Sequence, residues 1–333
     1  MKAFGFNSNN GQPLFLEQET PTPTGHDLLI EIDAIAVNPV DTKVIAGLGE
    51  TAAEHRVVGW DATGTVIATG ESTVLYKPGD KVFYAGDISR PGCYASHQLV
   101  DERIVGKAPS TLSVEEIAAM PLTSLTAWEA LFSRLKITEE LDAGKNILII
   151  GGAGGVGSIA IQLANKIAKL NVIATASNSA SIAWCNKLGA SQIINHYGDL
   201  AYQYRALGLK DPDYILCLND TDLHFTAMAE LIAPQGMICS IVGSKYKHDL
   251  DSLKSKSAGF VWEFMFTRPM FKTYDLIAQH RILNNIADLL DEGQIVSTLT
   301  ESLGPISAEA IKKAHQQLLS GTTIGKLALT AIT

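Results

Sequence analysis

The residues of this chain that most directly suggest chemistry are three glycines, Gly152, Gly154 and Gly157, in the spacing Gly-x-Gly-x-x-Gly. They follow an apolar run at residues 146–150 and precede an amphipathic stretch at residues 158–169. This context predicts a strand, a tight turn and a helix. In such a turn we expect Gly152 to allow the sharp change of direction, Gly154 to let a pyrophosphate approach the backbone, and Gly157 to let the helix pack against the strand.

The helix that starts after this turn would present free N–H groups and the positive end of its dipole to an anion. The sequence therefore predicts a turn that binds the pyrophosphate of a dinucleotide. It consists of six consecutive residues, Gly152, Ala153, Gly154, Gly155, Val156 and Gly157. A glycine-rich turn without a ligand is the alternative, and the strand-turn-helix context argues against it.

The end of the second predicted strand bears on which dinucleotide is bound. Thr175, Ser177 and Asn178 stand where NAD-binding proteins commonly carry an acidic residue for the ribose hydroxyl. Without that carboxylate a 2′-phosphate is not repelled, which favours NADPH, although NADH stays possible because the nearest basic residue, Lys187, lies a helix away. Alternatively, Ser177 and Ser179 only cap the next helix.

Three further residues end predicted strands, where such folds place their ligands: His196, Asn219 and Gly243. We expect all three to contribute to the cofactor site. For His196 a solvated loop position is the alternative.

The elements that must position these residues fall into two groups. The first 110 residues show short strand patterns, clearest at residues 28–37, 64–69 and 81–84, with turn signals between them. From Ser113, a predicted N-cap, the sequence turns helical as far as residue 134.

A regular alternation follows. Six strand-like runs separated by helix-length segments predict a doubly wound parallel sheet. The runs lie at residues 147–150, 172–176, 192–195, 214–218, 237–242 and 259–266. The remaining sequence predicts helices at residues 275–292 and 307–320 and strands at 295–299 and 325–330, the last of which we expect to return to the first domain.

The composition excludes several classes of protein. With 333 residues, 46% hydrophobic and 18% charged, the chain has the composition of a globular protein long enough for two domains. A net charge of −9 without a basic patch argues against nucleic acid and against a membrane surface as partners. Because there is neither a signal-peptide pattern nor a run of about 18 apolar residues, we expect a cytoplasmic protein with its four cysteines reduced.

Several motifs together resemble the medium-chain dehydrogenase/reductase superfamily, in particular its quinone oxidoreductase branch and the zinc-type alcohol dehydrogenase-like proteins. They are VNPVDTK at residues 37–43, VGWDATGTV at 58–66, YAGD at 84–87, LVDERIVG at 99–106, PLTSLTA at 121–127, the glycine turn, and WEFMF at 262–266. The resemblance implies a GroES-like catalytic domain at residues 1–122, a Rossmann domain at 123–268, a return to the catalytic domain at 269–333, and a homodimer.

In zinc alcohol dehydrogenases of that superfamily, a Cys and the His of a Gly-His-Glu motif hold the catalytic metal, with a further Cys or acidic residue. Here the resemblance places Asn38 at the Cys and Trp60-Asp61 at the His-Glu. An amide is a poor zinc ligand and an indole is none. His55 and Asp61 are a conceivable substitute pair, but we expect each to be exposed or to cap a helix, and we expect no zinc.

The resemblance places Asn38 near the nicotinamide, where its amide can donate to the carbonyl oxygen of an acceptor, with Asp41 orienting the same loop. The alternative is that Asn38 caps a turn. It also places Thr126 near the nicotinamide ring, with Thr123 beside it. The alternative for both is a hydroxyl bonded to the backbone at the start of a helix.

Trp60 and Tyr84 are expected to border the acceptor pocket, with a core role for Trp60 and an exposed loop position for Tyr84 as alternatives. Without a metal, alcohol oxidation loses its main electrostatic stabilisation, whereas a quinone or an α,β-unsaturated carbonyl takes the charge onto a conjugated oxygen. The sequence therefore predicts a zinc-independent NADPH-dependent oxidoreductase acting on such acceptors. A zinc-dependent alcohol dehydrogenase with atypical ligands and a non-catalytic NADPH-binding or sensing protein are the alternatives.

Overall fold

The structure is a computed structural model that describes residues 1–7, 11–48 and 55–332 of the chain. It divides into two compact units. The first unit consists of Met1–Leu125 and Phe266–Thr333, and the second unit consists of Thr126–Met265.

The N-terminal part of the first unit is built mainly from short strands, as predicted. These are β1 (Lys2–Phe6), β2 (Leu14–Glu17), β3 (Asp27–Ala36), β4 (Arg56–Val57), β5 (Ala62–Thr69), β6 (Lys81–Tyr84), β7 (His97–Asp101) and β8 (Val105–Lys107). Three α-helices accompany them, α1 (Pro39–Ala46), α2 (Val114–Ala118) and α3 (Pro121–Trp128), with a 3₁₀ turn at Glu102–Ile104. Ser113 caps α2 as expected, since its side chain accepts a hydrogen bond from Glu116 N.

The second unit contains the predicted alternation of strands and helices. Its strands are β9 (Asn146–Ile150), β10 (Asn171–Thr175), β11 (Gln192–Ile194), β12 (Tyr214–Cys217), β13 (Met237–Ser240) and β14 (Gly259–Trp262). Its helices are α4 (Glu139–Asp142), α5 (Gly155–Gln162), α6 (Ser179–Leu188), α7 (Leu200–Ala206) and α8 (Thr221–Leu231), with a 3₁₀ segment at Leu250–Lys256.

All six strands of the second unit are parallel and lie in the order β11-β10-β9-β12-β13-β14. This is the order of a doubly wound dinucleotide-binding sheet, in which ligands lie beyond the carboxyl ends of the strands where the order reverses. That point falls between β9 and β12. The predicted parallel sheet is therefore confirmed.

The central strand β9 explains why this sheet is stable. Leu148 and Ile150 are fully buried and pack with Ile173 and Ile215 of the neighbouring strands in one hydrophobic cluster. Each such side chain contributes about 1.5–3 kcal/mol by leaving water. The glycine turn is thus attached to a central strand of which four of the five residues are buried.

The chain returns to the first unit through α9 (Thr267–Phe271), α10 (Ala278–Asp291), β15 (Leu299–Pro305), α11 (Ala308–Leu319) and β16 (Lys326–Thr330). A seven-stranded sheet has the order β15-β16-β3-β5-β6-β8, with β7 also paired to β3. In the β16–β3 ladder Ala328 lies opposite Ala36. This register brings the first residue of β16 beside the residues that follow β3.

Some predicted boundaries are wrong. The strand expected at residues 295–299 is β15, and it starts only at Leu299, because its parallel partner β16 begins at the matching residue, Lys326. The helical runs expected to residue 134 and to residue 169 both change to π-helical turns, at Glu129–Arg134 and Leu163–Ile167. The last predicted strand of the parallel sheet ends at Trp262 rather than at residue 266.

All four cysteines are buried and unpaired, as the sequence predicts. Within the described part of the chain, no helix combines the length and the apolar character that crossing a membrane would require.

Candidate active site

The glycine turn between β9 and α5 includes Gly151, the residue before the three glycines of the motif. The residue with the left-handed backbone is Gly151, with φ of 90°, whereas Gly152 does not have a positive φ. The left-handed backbone therefore lies one residue before the first glycine of the motif. Gly152 is restricted by packing instead, since a Cβ on it would lie 2.9 Å from Ala174 Cβ and 3.1 Å from Cys185 Sγ.

The other two glycines of the motif differ in what surrounds them. A Cβ on Gly157 would lie 2.4 Å from Gly151 O and 2.5 Å from Gly152 O, so the helix start touches the turn there. A Cβ on Gly154 would meet only Gly151 O, at 3.8 Å. The space beside Gly154 is therefore open to a ligand, which agrees with the expected approach of a phosphate.

The start of α5 is suited to an anion. Gly154 is the N-cap in an extended conformation, and the first helical N–H groups, of Gly155, Val156 and Gly157, have no partner within the helix. Ser158 Oγ donates to Gly154 O over 2.7 Å and accepts from Trp184 Nε1 over 2.8 Å. These bonds fix the helix start, and its dipole favours negative charge there.

Thr175, at the end of β10, is tied to the glycine turn. Its side chain is fully buried, and its Oγ1 accepts a hydrogen bond from Gly151 N over 2.9 Å and lies 3.2 Å from His196 Nδ1. Burial lowers the pKa of His196, which favours the neutral form of this ring. Thr175 therefore holds the glycine turn through its hydroxyl, and His196 lies against that hydroxyl.

The polar residues after β10 are arranged by the cap of α6. Asn178 is the N-cap, since its Oδ1 accepts from Ser181 N over 2.9 Å. The alternative in which Ser177 and Ser179 cap the helix is wrong. Ser177 is only half-buried, so its hydroxyl is reachable, while the ammonium of Lys187 lies over the Trp184 ring, 5.5 Å from its centroid.

Asn219 and Gly243 lie in the loops that follow β12 and β13, and both are exposed. Asn219 is close to the turn, because a Cβ on Gly151 would lie 3.5 Å from Asn219 Cβ. Gly243 has no heavy atom within 4 Å of the position of a Cβ. The structure thus brings Asn219 to the glycine turn and leaves Gly243 in open space.

In the first unit, Asn38 belongs to a buried polar cluster that also contains Asp61 and Lys326. Asn38 Nδ2 donates to Asp61 Oδ2 over 3.1 Å, and Lys326 Nζ donates to Asp61 Oδ2 over 2.9 Å and to Asn38 Oδ1. Asp61 Oδ1 accepts from Leu122 N, in the first turn of α3, over 2.9 Å. The exposed position expected for Asp61 is wrong, because this side chain is fully buried, whereas the capping role is correct.

A second carboxyl group adjoins this cluster. Asp41 Oδ2 accepts from Asn38 N over 2.8 Å and from Tyr94 Oη over 2.9 Å, and His315 Nε2 lies 3.0 Å from the same Oη. Burial raises the pKa of Asp41 to about 7, and burial lowers the pKa of His315 to about 4. The contacts agree with the expectation that Asp41 orients the loop of Asn38.

Trp60 and Tyr84 are both buried in the first unit. Trp60 has no exposed surface, its Nε1 donates to Asp87 O over 3.1 Å, and the edge of its ring packs against Phe266. Tyr84 is 1% exposed, and its hydroxyl has no hydrogen-bond partner among the described residues. Burial raises the pKa of this phenol well above its usual range. The exposed loop position considered for Tyr84 is wrong.

The two threonines of α3 are buried. Thr123 Oγ1 lies 3.3 Å from Met120 O, to which it donates, so this hydroxyl is bonded to the backbone as in the alternative considered above. Thr126 is 5% exposed. Roles for either threonine at a nicotinamide ring stay predictions.

Sequence reasoning missed Lys326 altogether. It is 4% exposed, at the start of the apolar strand β16. A lysine at the start of an apolar strand needs buried acceptors, and its position in the sequence KLALT is the signal that could have identified it.

Both the sequence and the fold of this chain match known proteins. A family model described as an alcohol dehydrogenase GroES-like domain matches residues 24–110, and one described as a zinc-binding dehydrogenase matches residues 188–329. A zinc-type alcohol dehydrogenase-like protein of Staphylococcus aureus is 44% identical over 315 residues, which cover 94% of this chain and 93% of that protein. A crystal structure from Rhizobium etli, described as a candidate zinc-dependent alcohol dehydrogenase, has a TM-score of 0.94 at 45% identity and covers 100% of this chain and 98% of its own.

Two more distant proteins carry names that specify a reaction. A 2-methylene-furan-3-one reductase of Solanum lycopersicum is 28% identical over 318 residues, which cover 92% of this chain and 72% of that protein. The quinone oxidoreductase of Coxiella burnetii has a TM-score of 0.81 at 25% identity, with 99% of both chains covered. The chain therefore is an oxidoreductase of the medium-chain dehydrogenase/reductase superfamily and belongs to its zinc-type alcohol dehydrogenase-like proteins.

Proposed function

We propose that this chain is an NADPH-dependent oxidoreductase that transfers hydride to a quinone or an α,β-unsaturated carbonyl without a catalytic zinc. The observation that carries the proposal is the hydrogen bonding of Asn38 and Asp61. Asn38 Oδ1 and Asp61 Oδ2 both accept from the Lys326 ammonium, and Asn38 Nδ2 still has one hydrogen that can donate to a substrate oxygen.

The donor set does not fit zinc. Asn38 Oδ1 and Asp61 Oδ2 both accept from Lys326 Nζ, and Trp60 has no lone pair to offer. A divalent cation placed on these oxygens would meet the lysine charge at contact distance. Zinc sites in proteins use three or four nitrogen, sulfur or carboxylate ligands, and this cluster supplies one carboxylate that is already paired.

The second unit fits a dinucleotide. The open backbone at Gly154 and the free N–H groups at the start of α5 provide donors for a pyrophosphate. The reachable hydroxyl of Ser177, in a position without a carboxylate, supports a 2′-phosphate and hence NADPH. When bound, NADPH supplies the hydride.

Asn38 is proposed to polarise the acceptor. Because an ammonium only donates and a carboxylate only accepts, Lys326 and Asp61 fix which way the Asn38 amide faces. One Nδ2–H is used by Asp61, and the second has no acceptor among the described residues. That hydrogen can donate to an acceptor carbonyl, on whose oxygen negative charge develops during hydride transfer.

The acceptor class follows from the strength of that single bond. One neutral hydrogen bond stabilises a charge far less than a metal does, so the negative charge must be delocalised by the substrate itself. Quinones and conjugated enones do this, and simple aldehydes do not. The reactions for which the Solanum and Coxiella relatives are named support this class.

The test is NADPH oxidation at 340 nm by exhaustively dialysed, chelator-treated protein, with quinones, enones and simple aldehydes as acceptors. We expect turnover of quinones or enones that is unchanged after chelation. Activity that disappears with the chelator and returns with zinc would support the zinc alcohol dehydrogenase instead. Tight NADPH binding without turnover of any acceptor would support the sensing protein.

We also propose a homodimer in the cytoplasm. The strand β14 is an edge of the six-stranded sheet, and Trp262 on it is 46% exposed, which suits pairing with a second copy. The unpaired cysteines suit a reducing compartment. Light scattering on the eluted protein should give twice 35.7 kDa, and a monomer mass would contradict the dimer.

A further inference from the structure

Lys326 is the least expected charged group in the described part of the chain. Its Nζ donates to three acceptors, Val37 O and Asp61 Oδ2 at 2.9 Å each, and Asn38 Oδ1. An ammonium has three hydrogens, so its donor capacity is completely used. These bonds join the start of β16 to the residues that follow β3 and to Asp61.

The pairing of β3 with β16 places the Lys326 ammonium beside Asn38. The β3–β16 ladder pairs Ala36 with Ala328, and Val37 N donates to Leu327 O over 3.1 Å. Residue 326 therefore lies next to the residues that follow β3. A shift of one residue in this register would turn the lysine to the other face of the sheet.

The partners of Lys326 are informative. The resemblance places Asn38 at the position of a zinc-binding Cys and Asp61 at the Glu of the Gly-His-Glu motif, next to the position of the zinc-binding His. Lys326 Nζ donates to both side chains, so a cationic group of the protein itself lies between them. A metal at this place would have to displace it.

We propose that the Lys326 ammonium is a resident cation that takes over the positioning function of a metal, by neutralising Asp61 and holding and polarising the Asn38 amide. Polarisation at Oδ1 strengthens the opposite Nδ2–H as a donor, because linked hydrogen bonds reinforce one another. Lys326 is therefore a positioning residue that acts through Asn38. The activity arm of its test rests on the function proposed above, and the other arms do not.

The direct test is the ¹⁵N-detected ammonium signal of lysine. In wild-type protein we expect one slowly exchanging NH₃⁺ resonance that is absent from Lys326→Met. Titration with Zn²⁺ should leave this resonance unchanged. Stoichiometric Zn²⁺ binding that abolishes the resonance would overturn the proposal, as would a wild-type spectrum without any protected ammonium. These outcomes do not depend on turnover.

The activity arm separates positioning from mere stability. Lys326→Met leaves the buried Asp61 without its ionic partner, which destabilises the fold. The informative variant is therefore the double replacement Lys326→Met with Asp61→Asn, which removes both charges. We expect this variant to fold and to bind NADPH as the wild type does, with kcat reduced at least about tenfold, the equivalent of one hydrogen bond.

Full wild-type kcat in the double variant would show that Lys326 serves stability alone. Lys81→Met is the matched control, because Lys81 pairs with Asp33 over 2.8 Å on the surface of the same unit. It should change neither kcat nor the ammonium spectrum attributed to Lys326. If the wild type turns over no acceptor, the proposed function fails, while the ammonium and Zn²⁺ measurements still decide the role of Lys326.

Discussion

Alanine at Gly154 and at Gly157 should damage the protein in two different ways. The two residues belong to one motif, but the structure surrounds them differently. A Cβ at Gly157 would lie 2.4 Å from Gly151 O and 2.5 Å from Gly152 O, distances that real Cβ atoms essentially never show. A Cβ at Gly154 would have its nearest neighbour at 3.8 Å. One replacement therefore strains the fold, and the other fills the space kept open for a phosphate.

The magnitudes follow from these contacts. Overpacking costs about 1–3 kcal/mol, and because both atoms that meet the Gly157 methyl are backbone oxygens, we expect about 3 kcal/mol and a melting temperature lower by about 10 °C. Gly154 has φ of −71° and ψ of 174°, which alanine adopts freely. Its replacement should change stability by less than about 1 kcal/mol. Losing a hydrogen bond to a charged phosphate should weaken NADPH binding about 10–100-fold.

Thermal unfolding followed by circular dichroism and NADPH titration by calorimetry measure the two effects separately. Gly47→Ala is a suitable control, because a Cβ there would lie 3.4 Å from Lys43 O, an ordinary contact, outside the second unit. Wild-type affinity in Gly154→Ala would refute the assignment of this backbone to a phosphate. Wild-type stability in Gly157→Ala would refute the close packing of the turn.

Two further predictions concern the second unit. Burial raises the pKa of Glu263 to about 8 from its ordinary 4.5, and the nearby Glu129 carboxylate adds to the rise. The folded protein therefore holds a proton that the unfolded chain releases in this window, so stability falls as pH rises from 4.5 towards 8. In urea unfolding at pH 5 and pH 8, Glu263→Gln should reduce this fall in stability by about 2–4 kcal/mol. The exposed Glu230→Gln is the control and should leave the fall unchanged. The same fall in Glu263→Gln as in the wild type would contradict the buried proton. Ser177→Asp should raise the KM for NADPH at least about tenfold with little change for NADH, since a carboxylate repels a 2′-phosphate, and equal effects on both cofactors would argue against NADPH selectivity at this position.

The parallel sheet could be predicted from the sequence because its signals are local. Each buried strand is an apolar run, and three of the crossover helices start at a side-chain N-cap, Asn178 for α6, Asp199 for α7 and Asp220 for α8. The strand β15 could not be placed in this way. Its start depends on where β16 begins, at Lys326, and the pattern of residues 295–299 does not contain that information.

The same distinction separates the two parts of the candidate site. The glycine turn and the helix start lie within twelve consecutive residues of the sequence, 146–157, so their type and spacing were enough to predict them. Asn38, Asp61 and Lys326 are 23 and 265 positions apart along the chain and meet through the pairing of β3 with both β5 and β16. The sequence could show that two zinc ligands were missing, but it could not show which group stands beside the remaining carboxylate.

The buried carboxylate of Asp61 explains why restoring one zinc ligand would not restore a zinc site. A buried Asp61 without a cation would cost about 3–5 kcal/mol, as in ion pairs from which one partner is removed. Here it accepts from Leu122 N, Asn38 Nδ2 and Lys326 Nζ, so three separate segments are bonded to its two oxygens. A Cys at position 38 or a His at position 60 would restore single zinc ligands, but the metal would still have to compete with a covalently attached ammonium. The name of a family records similarity of sequence and fold, and the donors present in each chain decide which chemistry it can perform.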